Sequence, residues 1–81
     1  IDDRALGELL VEAQRGDAQA YEAFLVEAAA VLRRFLEWRA RSPELIEDVL
    51  QDTLLTVHRA RHSYLPGRPV GPWLYAIART A

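Results

Sequence analysis

The stretch Ser42–Ala60, SPELIEDVLQDTLLTVHRA, decides how the rest of the chain is read. Ser42 offers a hydroxyl to cap a helix start, and Pro43, at the first helical position, lacks only an N–H that has no partner there. Leu45, Ile46, Val49, Leu50, Thr53, Leu54 and Val57 recur at three- and four-residue steps, which gathers them on one helix face. The opposite face carries Glu44, Glu47, Asp48, Gln51 and Asp52, a solvated strip of acids with one amide. Arg59 and Arg61 follow at the far end, so acids lie toward the N-terminus and cations toward the C-terminus, as the helix dipole favours. This is a strong amphipathic helix. The other segments read as its partners.

Upstream, Asp2 or Asp3 is placed to cap a first helix carrying Leu6, Leu9, Leu10 and Ala13, short enough to depend on packing. Gly16-Asp17 then reads as a helix stop followed by a helix start. The second helix should run from Ala18 to about Ala40, with Tyr21, Phe24, Leu25, Ala28, Val31, Leu32, Phe35 and Leu36 on its stripe. So wide a stripe suits a central helix that touches two or more neighbours. Arg33, Arg34, Arg39 and Arg41 crowd its last turns, and Trp38 falls one step outside the stripe. That tryptophan either packs on a helix end or lends itself to a binding surface.

Downstream, His62–Pro72, HSYLPGRPVGP, holds three prolines and two glycines and reads as an ordered loop. With Arg68 and aromatic neighbours it suits a binding element, while a rigid connector fits the same pattern. Tyr64 and Leu65 are able to anchor it on the core. Pro72 is expected to open the last helix, with Trp73, Leu74, Ile77 and Ala78 on one face and Tyr75 and Arg79 pointing elsewhere. The expected fold is all-α, a compact single-domain bundle of about four helices at about 4–15, 18–40, 43–60 and 70–80.

A length of 81 residues suits one domain with a modest core, and 51% hydrophobic with 27% charged residues is a globular balance. The absence of cysteine excludes a disulfide framework, thiolate chemistry and sulfur-ligated zinc. No apolar run approaches a membrane span, so no membrane insertion is expected, and no secretory leader is visible. The first residue is not methionine and the last helix ends the chain, which reads as a fragment or trimmed domain. A net charge of -2 conceals a division. All twelve acids lie at or before Asp52; beyond it come Arg59, Arg61, Arg68 and Arg79 with His58 and His62. Such a carboxylate-free tail suits phosphate or an acidic protein. All ten basic residues are arginine, which fits a GC-rich coding background as well as a preference for planar guanidinium partners.

Catalytic patterns are missing. Asp48 and Asp52 are four apart on one polar face, but no partner acid is supplied opposite them. His58 and His62 share the four-residue spacing of a metal pair without an HExxH context, and His62 sits at the helix exit. Ser42 and Ser63 lack a histidine base at a recognisable spacing, and there is no glycine-rich phosphate loop. Neither an enzyme nor a cofactor is expected.

Three segments together resemble region 2 of a bacterial RNA polymerase sigma factor of the extracytoplasmic-function (ECF) type. They are GDAQAYEAF (Gly16–Phe24), IEDVLQDTLLTVHRA (Ile46–Ala60) and RPVGPWLYAIART (Arg68–Thr80). In the family they look like a "GD..AF..L" opening, an "AEDLVQETFLRVWR" helix and an "F.PWLYRIARN" helix. The first is weakly specific alone; the last two, separated by a short loop, are strongly specific. The resemblance covers almost the whole chain.

The resemblance implies a non-catalytic, bacterial cytoplasmic protein that docks on core RNA polymerase, through the β′ clamp helices, by the helix matching Glu47–His58. Glu47, Asp48, Gln51 and Asp52 then supply the polar contacts, with Leu54, at the family's usual phenylalanine position, and Leu55 beside them. The region from Tyr64 to Thr80, with the loop that follows, implies recognition and melting of the promoter −10 element as single-stranded non-template DNA. Arg59, Arg61, Arg68 and Arg79 become phosphate contacts, Tyr64 and Tyr75 base contacts, and Trp73 a core anchor or a stacking ring, with Thr80 adjoining the base-reading loop. The arginine-rich end of the second helix, Arg33 to Arg41, is a further candidate for DNA. His58 stands for the family's frequent tryptophan, Thr80 for its asparagine, and Gly71 where a bulkier residue is common, which touches sequence preference more than fold. The rest of the base-reading loop and the second sigma domain, which recognises the −35 element, would lie beyond Ala81. Two rivals remain at this level: a protein-interaction module bound by an anti-sigma factor or another helical partner, and a small metalloprotein using His58 and His62.

Overall fold

In the computed structural model, which describes residues 1–39 and 42–80, the chain forms an all-α four-helix bundle. Helix α1 is Asp3–Gln14, α2 Ala18–Arg39, α3 Pro43–Ala60 and α4 Val70–Thr80, with one 3-10 turn at Arg61–Ser63. The expected extension of α2 to Ala40, together with Arg41 and Ala81, lies outside the described residues.

The α1–α2 connection follows from two residues. Gly16 takes φ 101°, a left-handed conformation that costs glycine little. The Gly16 amide donates to the Ala13 carbonyl at 3.0 Å and the Asp17 amide to Glu12 at 3.1 Å, which closes the end of α1 as a Schellman motif. Asp17 then caps α2, its carboxylate accepting from the Ala20 amide at 3.0 Å. At the other end of α1, Asp2 accepts from the Ala5 amide at 2.8 Å.

The long helix α2 touches all three others, as its wide stripe foretells. Phe24, Ala28 and Leu32 are completely buried, and Leu10 from α1, Val57 from α3 and Val70 and Leu74 from α4 close around them. Each of these side chains except the small Ala28 contributes about 1.5–3 kcal/mol by leaving water. Gly7 marks a close approach of α1 to the loop and the start of α4: a Cβ there would stand 2.9 Å from the Tyr64 hydroxyl and 3.1 Å from Val70 Cγ2.

Three local expectations are corrected. Ser42 stands at the N-cap of α3 with extended backbone but makes no capping bond to the helix; its hydroxyl donates to the Glu44 carboxylate at 2.6 Å, and that bond holds the Glu44 carboxyl below its ordinary pKa. Leu45 is 56% exposed, with Pro43 and Glu44 exposed beside it, so the apolar face of α3 does not reach the core at its start. Helix α4 starts at Val70, the first residue of the expected 70–80 span, so Pro72 lies inside its first turn and does not open it. The reason lies on α1: the Asp3 carboxylate accepts from the Val70 amide at 2.9 Å and the Gly71 amide at 2.7 Å, so the cap arrives from 67 residues away. A carboxylate there also meets the positive end of the helix dipole. Thr53, grouped with the apolar face, is fully buried, and its hydroxyl donates to the Val49 carbonyl one turn back at 2.7 Å.

Candidate functional site

Two surfaces carry the residues singled out by sequence. The first is the outer side of α3. Glu47, Asp48, Gln51 and Asp52 are all exposed along it, and Leu55, 53% exposed, stands beside them, while Leu54 is half-buried. The acids are not equivalent. Arg33 of α2 forms a two-pronged ion pair with Glu47, which spans α2 and α3 and raises the Arg33 pKa, so Glu47 is already occupied within the molecule. Among the described residues, Asp48 and Asp52 make no ion pair.

Beside this strip, Gln51, Leu54, Leu55 and His58 of α3 line an open groove of about 410 Å³ with Tyr21 and Leu25 of α2. Tyr21 and Leu25 belong to the apolar stripe of α2, and nothing in their spacing distinguishes a groove wall from a core residue. The Tyr21 hydroxyl and His58 Nδ1 are hydrogen-bonded at 2.7 Å, with their rings 5.7 Å apart. The Arg61 guanidinium lies 6.0 Å from the Tyr21 ring and donates to the His58 carbonyl at 2.7 Å. Burial raises the Tyr21 pKa, and Arg61 opposes the rise. His58 is therefore engaged with α2, and among the described residues no cluster of three or more His, Cys, Asp or Glu side chains is arranged to hold a metal.

The second surface is the α3–α4 loop with α4. This loop is held at many points. Leu65-Pro66-Gly67-Arg68 is a tight turn, with Gly67 at φ 89° and the Arg68 amide donating to the Leu65 carbonyl at 3.1 Å. The Gln14 side chain donates to the carbonyls of Arg61 and Tyr64, both at 2.9 Å, and the Trp73 indole donates to Ser63 at 3.1 Å. Tyr64, expected to meet a base, is 3% exposed: its ring meets Trp73 edge-on at 5.8 Å and its hydroxyl donates to the Arg68 carbonyl at 2.6 Å. It anchors the loop, the other role open to it from sequence. Trp73 is half-buried on the same cluster.

Exposed on this side are Arg59, Arg68 and Arg79, while Arg61 is half-buried by its turn back onto α3. Tyr75 is 36% exposed and packs on Phe35 of α2 with ring centroids 5.0 Å apart. Thr80, also exposed, donates to the Ile77 carbonyl at 2.8 Å. A further cleft of about 570 Å³ opens between α1 and the loop, with Arg4, Glu8, Glu12 and Arg68 among its lining residues. The arrangement offers a strip of free carboxylates beside an apolar groove, and separately guanidinium groups on a stiff loop and helix.

The family model described as Sigma-70 region 2 matches residues 20–81. The chain is 39% identical over 66 residues to the RNA polymerase sigma factor CarQ of Myxococcus xanthus, covering 82% of this chain and 38% of that protein. It is 30% identical over 79 residues to the ECF RNA polymerase sigma factor SigM of Mycobacterium tuberculosis, covering 98% of this chain and 40% of the relative. With the ECF RNA polymerase sigma factor SigF of Caulobacter vibrioides it shares 32% identity over 72 residues, 88% of this chain and 40% of that one. The chain thus spans about two fifths of the length of these curated relatives. No solved structure matches it significantly.

Proposed function

The chain belongs to the sigma-70 region 2 family, and from that premise we propose that it docks on the β′ clamp helices of core RNA polymerase through α3 and engages the single-stranded −10 element through the loop and α4. A sigma factor domain is not an enzyme, and nucleotidyl transfer belongs to the polymerase. The observation that carries the dock is the pair Asp48 and Asp52. They are exposed, one turn apart, free of internal partners among the described residues, and adjacent to an apolar groove. Carboxylates with open lone pairs accept bidentate bonds from a partner's arginines, and the groove takes that partner's apolar side chains. Glu47, held by Arg33, contributes less than its sequence position suggests.

For promoter DNA, support comes from Arg59, Arg68 and Arg79, which present guanidinium groups to solvent around a loop already fixed by internal bonds. A preformed loop loses little entropy on binding, so more of the contact energy appears as affinity. Binding to unpaired bases draws the duplex toward its melted state, because the contacts exist only after unpairing.

The test is fluorescence anisotropy with a labelled β′ clamp-helix fragment, comparing the chain with its Asp48→Arg/Asp52→Arg variant. Specific binding that the double reversal abolishes supports the dock. A folded chain that does not bind the fragment removes this reading. In that case the groove belongs to another helical protein, such as an anti-sigma factor, which also fits its apolar lining.

A further inference from the structure

The end of the bundle where α2 and α4 meet carries a surface that neither the dock nor the loop uses. Trp38 is 86% exposed, although burial of an indole is among the larger stabilising contributions available to so small a core. It is accompanied. Val31, Arg34, Phe35 and Trp38 of α2 line a shallow pocket of about 380 Å³ with Tyr75 of α4, and no carboxylate is among them. Phe35 and Tyr75 lie 5.0 Å apart and tilted by 31°, and the Arg39 guanidinium stands 5.1 Å over the Phe35 ring. Among the described residues, neither Arg34 nor Arg39 makes an ion pair. The acid on this part of α2, Glu37, acts on Arg33, one turn back along the helix.

An exposed indole beside a paired Phe35 and Tyr75, with two guanidinium groups free of ion pairs among the described residues and one of them lying over Phe35, suits one class of occupant. Unpaired nucleotides present a flat π-face and a phosphate at each step, and every base stacks regardless of sequence. An acidic helix would satisfy the arginines but leave the ring faces unused. Resting on the nucleic-acid reading above, we infer that Trp38, beside the paired Phe35 and Tyr75, forms a second base-stacking position for the melted promoter strand, with Arg34 and Arg39 holding the adjoining phosphates. This position is built mainly from α2, apart from the α3–α4 loop. It explains why Trp38 remains in solvent, and it adds length to the strand this domain holds open.

The experiment titrates the chain and its Trp38→Ala variant with a labelled single-stranded oligonucleotide carrying the −10 element, and in parallel with the β′ clamp-helix fragment. So exposed a side chain is removable without unfolding the domain, which circular dichroism verifies. We expect the variant to lose about tenfold in affinity for the oligonucleotide and nothing for the fragment. A series with one abasic nucleotide at each position should contain one that costs the wild type a similar factor but costs Trp38→Ala almost nothing, the non-additivity of two groups in contact. Oligonucleotide binding that Trp38→Ala leaves unchanged overturns the stacking position while the loop reading stands. Loss of the fragment instead makes the patch a protein interface and overturns it as well. If the wild-type chain binds no oligonucleotide under conditions where it binds the fragment, the nucleic-acid reading itself fails and takes this inference with it.

Discussion

Asp3 shows how far one side chain reaches in so small a protein. The sequence offers Asp2 and Asp3 as equivalent caps, and the structure separates them: Asp2 caps its own helix, Asp3 caps α4. Nothing in local spacing reveals the second role, since it depends on how α1 crosses the bundle. Asp3→Ala is expected to destabilise the domain by about 1–2 kcal/mol. Amide hydrogen exchange at Val70 and Gly71 should accelerate, whereas Asp2→Ala should speed Ala5 and leave those two protected. Equal exchange at Val70 and Gly71 in both variants would contradict the cross-helix cap. Tyr64 gives a pH test of the same neighbourhood. Burial raises its pKa above 10.0, and the Asp3 carboxylate adds in the same direction. The unfolded chain then loses the phenolic proton first, so stability is complete below that value and falls as pH rises through and beyond it. Tyr21, also raised by burial, acts with the same sign. The urea midpoint should therefore drop between about pH 9 and about pH 11, and Tyr64→Phe should flatten part of that drop. The variant should also cost about 1 kcal/mol at neutral pH, because the hydroxyl no longer serves the Arg68 carbonyl. An unchanged alkaline slope in Tyr64→Phe would remove Tyr64 as its source.

At the scale of the helices, periodicity was the legible signal. The stripes on α1, α2 and α3, the stop at Gly16 and the all-α class follow from spacing and from two turn residues. Spacing does not tell how far along a helix its neighbours extend. Leu45 and Leu50 both satisfy the apolar pattern of α3, yet Leu45 is 56% exposed and Leu50 only 4%. Leu50→Ala should cost about 2–5 kcal/mol through lost burial and a residual cavity. Leu45→Ala should stay within about 0.5 kcal/mol. Urea denaturation of the two variants decides the matter, and equal losses would mean that α3 is buried along its whole length. The candidate surfaces divide in a similar way. Asp48, Gln51 and Asp52 are readable as an exposed strip from the acid pattern alone, whereas Tyr21 and Leu25 look like core residues until the groove between α2 and α3 is seen. Ion pairing is invisible as well: Glu47 and Arg33 are 14 residues apart and meet only because α2 and α3 pack antiparallel.

For the molecule as a whole, a net charge of -2 stands against binding a polyanion if only the sum counts. Range resolves the conflict. At physiological ionic strength a charge is screened within about 8 Å, while the molecule is 37 Å along its longest axis. Local clusters, not the sum, therefore set the interactions. The acids of α3 and the arginines of the loop and α4 should act as two independent electrostatic sites, and salt dependence can tell them apart. Releasing counterions from a single strand gives a slope of log K against log salt of about −0.7 for each phosphate neutralised. Removing one arginine that contacts phosphate should make the slope shallower by about that amount. Arg68→Ala and Arg79→Ala are thus expected to weaken oligonucleotide binding most at low salt and to flatten its slope, with the clamp-helix fragment bound as before. Asp48→Arg/Asp52→Arg should do the reverse: it should abolish fragment binding and leave the oligonucleotide slope unchanged or steeper, since it adds positive charge. Measured from about 50 to about 200 mM salt, the two sets of variants form a cross. If the arginine variants shift the fragment, or the aspartate variants flatten the oligonucleotide slope, the two sites share one surface, and a domain holding polymerase and promoter at once could not be built on it.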